Sequence, residues 1–231
     1  MKYQVLAVDF DGTLATDGQV DQVTLDALRR LRESGRRVVL VTGRIMEQLF
    51  QAFPQISLCD LVVSDNGALL FDPISGERTL LTTPPPRAFI DEMIRRGIPR
   101  IEIGDVIVAS WEPHETIILE IIRDLGLELQ IIFNKGAVMV LPTGVNKATG
   151  LQAALERLGV PPAKAVGVGD AENDESFLKM CGLSVGVDNA LEVLKGQVDI
   201  VTTGARGAGV TEIINRLLDD GLEHVLKRIA K

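Results

Sequence analysis

The feature that most constrains this chain is a repeated alternation of short apolar runs with segments of helical periodicity. Tyr3 to Asp9 (YQVLAVD) is a near-continuous apolar run ending in an acid. It lacks the in–out alternation of a half-exposed strand and fits a parallel strand buried on both faces. Residues 21–34 then carry Val23, Leu25, Leu28 and Leu31 near helical spacing, and Gly35 fits the position just past a helix end. A second buried run, 36–43, precedes a short helical stretch from Ile45 to Phe53 that stops before Pro54. A third run, 58–67, leads into a hairpin pattern over 69–81 that turns at Pro73 to Gly76. The rhythm returns after residue 146, with helices at 147–159, 174–181, 190–195 and 208–230 and strands at 163–170, 183–187 and 198–203. Such alternation predicts a parallel sheet covered on both faces, a Rossmann-like α/β core.

The rhythm breaks once, at the proline cluster Thr82-Thr83-Pro84-Pro85-Pro86. Beyond it the pattern is a helix (87–97), two strands (100–103 and 105–110), a second helix (113–125) and two more strands (128–133 and 136–141). This αββαββ order describes a small α+β layer with its own apolar faces. The expected organisation is a core over 1–82 and 146–231 with an inserted cap over 83–145. A chain of 231 residues with a 46% apolar share has enough material for both.

Charge and composition exclude several function classes. A net charge of −8 argues against broad binding to nucleic acid or an anionic membrane, which needs a basic face. No apolar run approaches the roughly 18–20 residues that span a bilayer, and acids interrupt the first run too early for a signal peptide. Cys59 and Cys181 lack CxxC spacing and read as buried small hydrophobes in a reducing compartment. A soluble, cytoplasmic protein is expected.

In an open parallel sheet, ligands bind beyond the carboxyl ends of the strands, and the polar residues of interest fall there. One run ends in Asp9-Phe10-Asp11-Gly12-Thr13-Leu14, another in Thr42-Gly43-Arg44, and a third in Gly169-Asp170-Ala171-Glu172-Asn173-Asp174. Lys147 opens the helix after the insert. Asp9, Asp11, Asp170 and Asp174 gathered on one rim would repel one another strongly unless a cation intervened. Oxygen ligands and a small number of protein carboxylates suit Mg²⁺, while the two histidines, His114 and His224, do not form a zinc motif. Plainer roles compete at single positions. Thr42 fits a helix N-cap, Asn173 and Asp174 fit helix capping, and Lys147 fits a solvated surface lysine.

Taken in order, DFDGTL, VTGR, the lysine of NKATG and GDAENDESF resemble the four motifs of the haloacid dehalogenase-like hydrolase superfamily. The insert resembles the short type-two cap of its Cof-type (subfamily IIB) phosphatases, and the whole chain is similar to archaeal phosphoglycolate phosphatases and sucrose-phosphate phosphatases. One departure is Ala171, where many Cof-type members have glycine. The resemblance implies a phosphoric monoester hydrolase acting on a small phosphorylated metabolite through an aspartyl-phosphate. It implies Asp9 as nucleophile, Asp11 as general acid and base, and Thr42 with the Gly43 N–H as phosphate seat. Lys147 would neutralise charge at the transferring group. Asp9, the backbone carbonyl of Asp11, Asp170 and Asp174 would hold Mg²⁺, with Asn173 supporting them or touching phosphate. A phosphomutase and a non-catalytic phosphometabolite sensor stand as alternatives.

Other features weigh less. The glycines of Gly204 to Gly209 do not follow the dinucleotide spacing, and residues 144–149 lack that of a Walker loop. Arg44 is expected to pair with a local carboxylate, and Asn66-Gly67 to turn beside the cleft. Trp111, Glu112, His114, Arg123, Asn134 and Lys135 are the polar or aromatic insert residues that could face a substrate.

Overall fold

The structure is a computed structural model, and it describes residues 1–134, 136–219 and 221–222. Eight strands form one sheet in the order β12-β11-β10-β1-β2-β3-β4-β5. These are β1 (Val5–Asp9), β2 (Arg37–Val41), β3 (Leu61–Ser64), β4 (Leu69–Phe71), β5 (Arg78–Leu80), β10 (Ala165–Gly169), β11 (Leu183–Gly186) and β12 (Ile200–Val201). All pairings from β12 to β3 are parallel, and the β4–β5 hairpin is added antiparallel at the edge. The apolar runs explain the geometry: every residue of β1 and β10 is buried, so both sheet faces must be covered.

Helices cover them. α1 (Gln22–Glu33) starts at Asp21, whose carboxylate accepts the Thr24 N–H, and is followed by Gly35 in the left-handed region. Leu25, Leu28 and Leu31 point into the core, but Val23 is 66% exposed because it falls off that stripe. α2 (Met46–Ala52), α5 (Lys147–Leu158), α6 (Glu175–Met180), α7 (Glu192–Lys195) and α8 (Arg206–Asp219) complete the layers. The expected helix over 208–230 begins earlier, at Arg206. Its described part ends at Asp219, and Gly221 and Leu222 form a turn with positive φ. Asp220 and residues 223–231 lie outside the described residues.

The segment after the proline cluster forms a separate antiparallel sheet in the order β6-β7-β9-β8. Its strands are β6 (Glu102–Ile103), β7 (Val108–Trp111), β8 (Leu129–Asn134) and β9 (Ala137–Pro142), with helices α3 (Arg87–Arg95) and α4 (Glu115–Asp124). Phe89, Met93, Ile118 and Ile121 from the helices pack with Val108, Val138 and Val140 from the strands. A further apolar cluster, including Ala68, Ile107, Met139 and Val145, lies where this sheet meets the larger one.

β1 lies between β2 and β10, so the chain runs outward from it in both directions. That reversal opens a crevice at the carboxyl ends of β1 and β10.

Candidate active site

Asp9 is the last residue of β1 and is 4% exposed. Gly12, at φ 91°, lets the chain turn sharply beyond it, and Leu14 and Ala15 donate back to the Phe10 carbonyl. The same loop brings Thr13 beneath Asp170, whose carboxylate accepts the Thr13 hydroxyl at 3.3 Å. Asp174 follows one turn later and is wholly buried. One of its oxygens accepts the N–H groups of Asp170 (2.9 Å) and Ala171 (3.0 Å), which fixes the carboxylate. A Cβ on Gly169 would sit 2.7 Å from that of Asp174, so β10 must end in glycine for this turn to close. Ala171 has φ −126° and ψ 170°, a conformation that does not need glycine, so the departure noted there is accommodated.

Lys147 reaches the same point from the other side. It is the first residue of α5, whose N-cap Asn146 accepts from Ala148 and Thr149. A cation at a helix N-terminus opposes the helix dipole and needs compensation. Lys147 finds it in Asp9 at 2.6 Å and Asp174 at 2.5 Å, all three buried. The bridge to Asp174 was not foreseen in the sequence. Gly67 (φ 108°) makes the approach possible, because a Cβ there would lie 1.9 Å from the Asn146 carbonyl oxygen.

Burial, together with the nearby Asp174 charge, pushes the Asp9 carboxyl up to about 7 against the opposing pull of Lys147. For Lys147 burial alone would lower the pKa, but Asp174 and Asp9 outweigh it and hold the ammonium above its ordinary value. Among the described residues, Asp9, Asp170 and Asp174 place one carboxylate oxygen each within 4.8 Å of one another. One ammonium cannot offset three buried carboxylates, and an all-oxygen donor set of this size fits a hard divalent cation. The Asp11 side chain is not in that group. Its two oxygens accept a bidentate fork from Arg44, both at 2.7 Å, as a local partner for that arginine would.

Thr42 is buried, and its hydroxyl accepts the Arg44 N–H at 3.1 Å. The N-cap alternative is not realised, since α2 begins at Met46 with Ile45 in the N-cap position and no side-chain cap. Gly43 and Asn173 line the crevice, and the Asn173 amide nitrogen is buried without a partner among the described residues.

These groups surround a cavity of about 140 Å³ that the two sheets enclose together. Arg44, Ile45 and Gln48 form one wall and Glu102, Ile107, Trp111, Asn134 and Met139 another. Of the insert residues singled out from sequence, Trp111 and Asn134 reach it. Glu112 is exposed, His114 bonds the Trp111 carbonyl, and Arg123 pairs with Asp124. Lys135 lies outside the described residues. Gln48 and Glu102 touch at 2.5 Å across the cavity wall, a contact that carried no sequence signal. The glycines of 204–209 are packing residues: Cβ atoms on Gly207 and Gly209 would strike Thr24 and Gly204.

A family model of haloacid dehalogenase-like hydrolases matches residues 6–96 and 101–214. The chain is 31% identical over 235 residues to a phosphoglycolate phosphatase of Natronomonas pharaonis, covering 93% of this chain and 98% of the relative. It is 29% identical over 226 residues to a phosphoglycolate phosphatase of Methanothermobacter thermautotrophicus, covering 93% and 99%. A crystal structure of a haloacid dehalogenase-like hydrolase from Bacteroides thetaiotaomicron superposes with a TM-score of 0.78 at 19% identity, over 94% of this chain and 100% of that one.

Proposed function

Because the chain belongs to the haloacid dehalogenase-like hydrolase family, we propose that it is a Mg²⁺-dependent phosphatase of small phosphomonoesters, with Asp9 as the nucleophile. The observation that carries this reading is the buried Lys147 bridge between Asp9 and Asp174, at the strand ends where a phosphoryl group would be held. The ammonium draws the Asp9 pKa down against burial, favouring the ionised nucleophile, and offsets repulsion from the incoming phosphate. An Asp9 oxygen attacks phosphorus, the bond to the leaving alkoxide breaks, and Asp11 supplies the proton that the alkoxide takes up. Asp11 then removes a proton from a water, whose oxygen attacks phosphorus and releases inorganic phosphate and Asp9. Thr42, the Gly43 N–H and the Asn173 amide donate to phosphoryl oxygens. Asp9, the Asp11 carbonyl, Asp170 and Asp174 would hold Mg²⁺, which when bound supplies neutralisation of phosphoryl charge.

The segment 83–145 acts as a cap, so that the leaving group is selected by Trp111, Asn134, Glu102 and Ile107 while the core handles phosphate. The cavity is small against the roughly 300–1,000 Å³ of sites for drug-sized ligands, which supports a substrate of phosphoglycolate or sugar-phosphate size. Phosphoglycolate is favoured by the relatives in two archaea. A phosphate-release screen over phosphorylated two- to six-carbon metabolites, with Mg²⁺ and with chelator, tests the proposal. Mg²⁺-dependent release with phosphoglycolate or a sugar phosphate is expected. Transfer of phosphate to a second hydroxyl without release would identify a mutase, and tight binding without turnover a sensor.

A further inference from the structure

One buried acid has no part in that chemistry. Asp65 follows β3 at the same sheet rim, is fully buried, and sits in the left-handed region at φ 51°. Its N–H donates to the Arg44 carbonyl at 3.1 Å, and the next N–H, of Asn66, donates to the Thr42 carbonyl at 3.1 Å. The Asp65–Asn66 turn is thereby fastened to the segment that would seat phosphate. The Asp65 side chain reaches instead into the insert, where one oxygen accepts the N–H groups of Val106 (2.7 Å) and Ile107 (3.1 Å). Two successive amides on one carboxylate oxygen are charge-assisted bonds of the stronger kind.

The approach is built for closeness. The 104–107 turn is closed by the Gly104 N–H on the Ile107 carbonyl at 2.8 Å. A Cβ on Gly104 would lie 2.6 Å from both Asp65 Oδ2 and Ile45 Cγ2, so a larger residue would force the two units apart. Ile45 and Ile107 both line the cavity. On the outer side of the same turn, Asp105 pairs with Arg78 at 3.0 Å, and Arg78 pairs with Glu47 of α2 at 3.0 Å. Among the described residues, the second oxygen of Asp65 is buried without a partner. Desolvating a carboxylate this far is unfavourable, and packing alone would be served better by an apolar residue.

We propose that Asp65 is a positioning residue that clamps the insert's 104–107 turn onto the phosphate-seating segment, setting the leaving-group wall of the cavity relative to Asp9. Its kinetic consequence rests on the phosphatase reading; the clamp itself does not.

The test compares wild type with Asp65→Ala and Asp65→Asn by two readouts. In amide hydrogen exchange, Val106 and Ile107 should exchange at least about 10-fold faster in Asp65→Ala, the scale of a lost buried hydrogen bond. Asp65→Asn, which keeps an acceptor oxygen, should raise the same two rates less. With p-nitrophenyl phosphate, kcat/KM should fall by about 10-fold or more in Asp65→Ala through misplacement of the wall. Competitive inhibition by inorganic phosphate, which needs only groups on the Asp9 side, should stay near wild type. Unchanged exchange at 106 and 107 in both variants would overturn the proposal, as would loss of phosphate inhibition in step with kcat/KM. If Asp65→Ala does not fold, the Asn variant decides by the same two readouts. A wild type inert toward every phosphomonoester would sink the phosphatase reading and leave the exchange result to judge the clamp.

Discussion

Lys147 shows how a single residue can be both costly and necessary. Its ammonium is 2% exposed and sits at the wrong end of a helix dipole, yet it lies within 2.6 Å of Asp9 and 2.5 Å of Asp174. Removing it strands two buried carboxylates. Lys147→Met is therefore expected to lose about 3–5 kcal/mol of stability at neutral pH, as when one partner of a buried ion pair is deleted. Chemical denaturation measures that loss, and added Mg²⁺ should recover part of it; an unchanged midpoint would contradict the assignment. The acids at strand ends could be read from sequence because the apolar runs of β1 and β10 fix where each strand stops. The Lys147–Asp174 contact could not, since it depends on how closely α5 lies over β3. Asp65 was hidden for another reason: the turn expected at Asn66-Gly67 is present but begins one residue earlier, so Asp65, which reads as the end of a strand, already lies in the left-handed region.

At the scale of elements, α5 and the Asp65 turn hold the site together. Gly150 lies against β3, where a Cβ would be 2.4 Å from Val63, and Gly67 lies against the α5 N-terminus. Gly67→Ala should push that N-terminus outward, costing on the order of 2–4 kcal/mol in unfolding experiments and carrying Lys147 away from Asp9. The Asp65 turn has its own signature. Burial, with smaller contributions from Asp105 and Glu47, pushes the Asp65 carboxyl up to about 6 from an ordinary 3.8, despite its bonds from Val106 and Ile107. Arg78 bridges those two neighbouring acids. A carboxyl raised on folding binds more protons in the native state, so this contribution to stability is present below about pH 4 and is lost as pH rises through 6. Thermal melts of wild type should fall relative to Asp65→Asn across that window; parallel curves would contradict it. The alternation of strands and helices was legible throughout, whereas element ends moved: the run 198–203 pairs only over Ile200–Val201, and Gly207, expected just before the last helix, lies inside α8. Edge strands have one partner, so apolar sequence alone does not set their length.

For the whole molecule, the core sheet gathers the acids and the second sheet closes the cavity over them. Ion binding across Asp9, Asp170 and Asp174 would be linked to folding of the larger sheet, because their positions exist only in the native state. Mg²⁺ at about 100-fold its dissociation constant should raise the melting temperature by roughly 5–10 °C. Asp170→Asn with Asp174→Asn should abolish that rise, and an equal rise in the double variant would place the ion elsewhere.

In the proposed reaction the phosphoryl group passes through Asp9. Rapid acid quench of the enzyme with a labelled phosphomonoester, followed by borohydride reduction and peptide mapping, tests it most directly. Conversion of Asp9 to homoserine, absent without substrate and in Asp9→Asn, is the expected result. Label on another residue, or wild-type turnover by Asp9→Asn, would exclude Asp9 as the nucleophile.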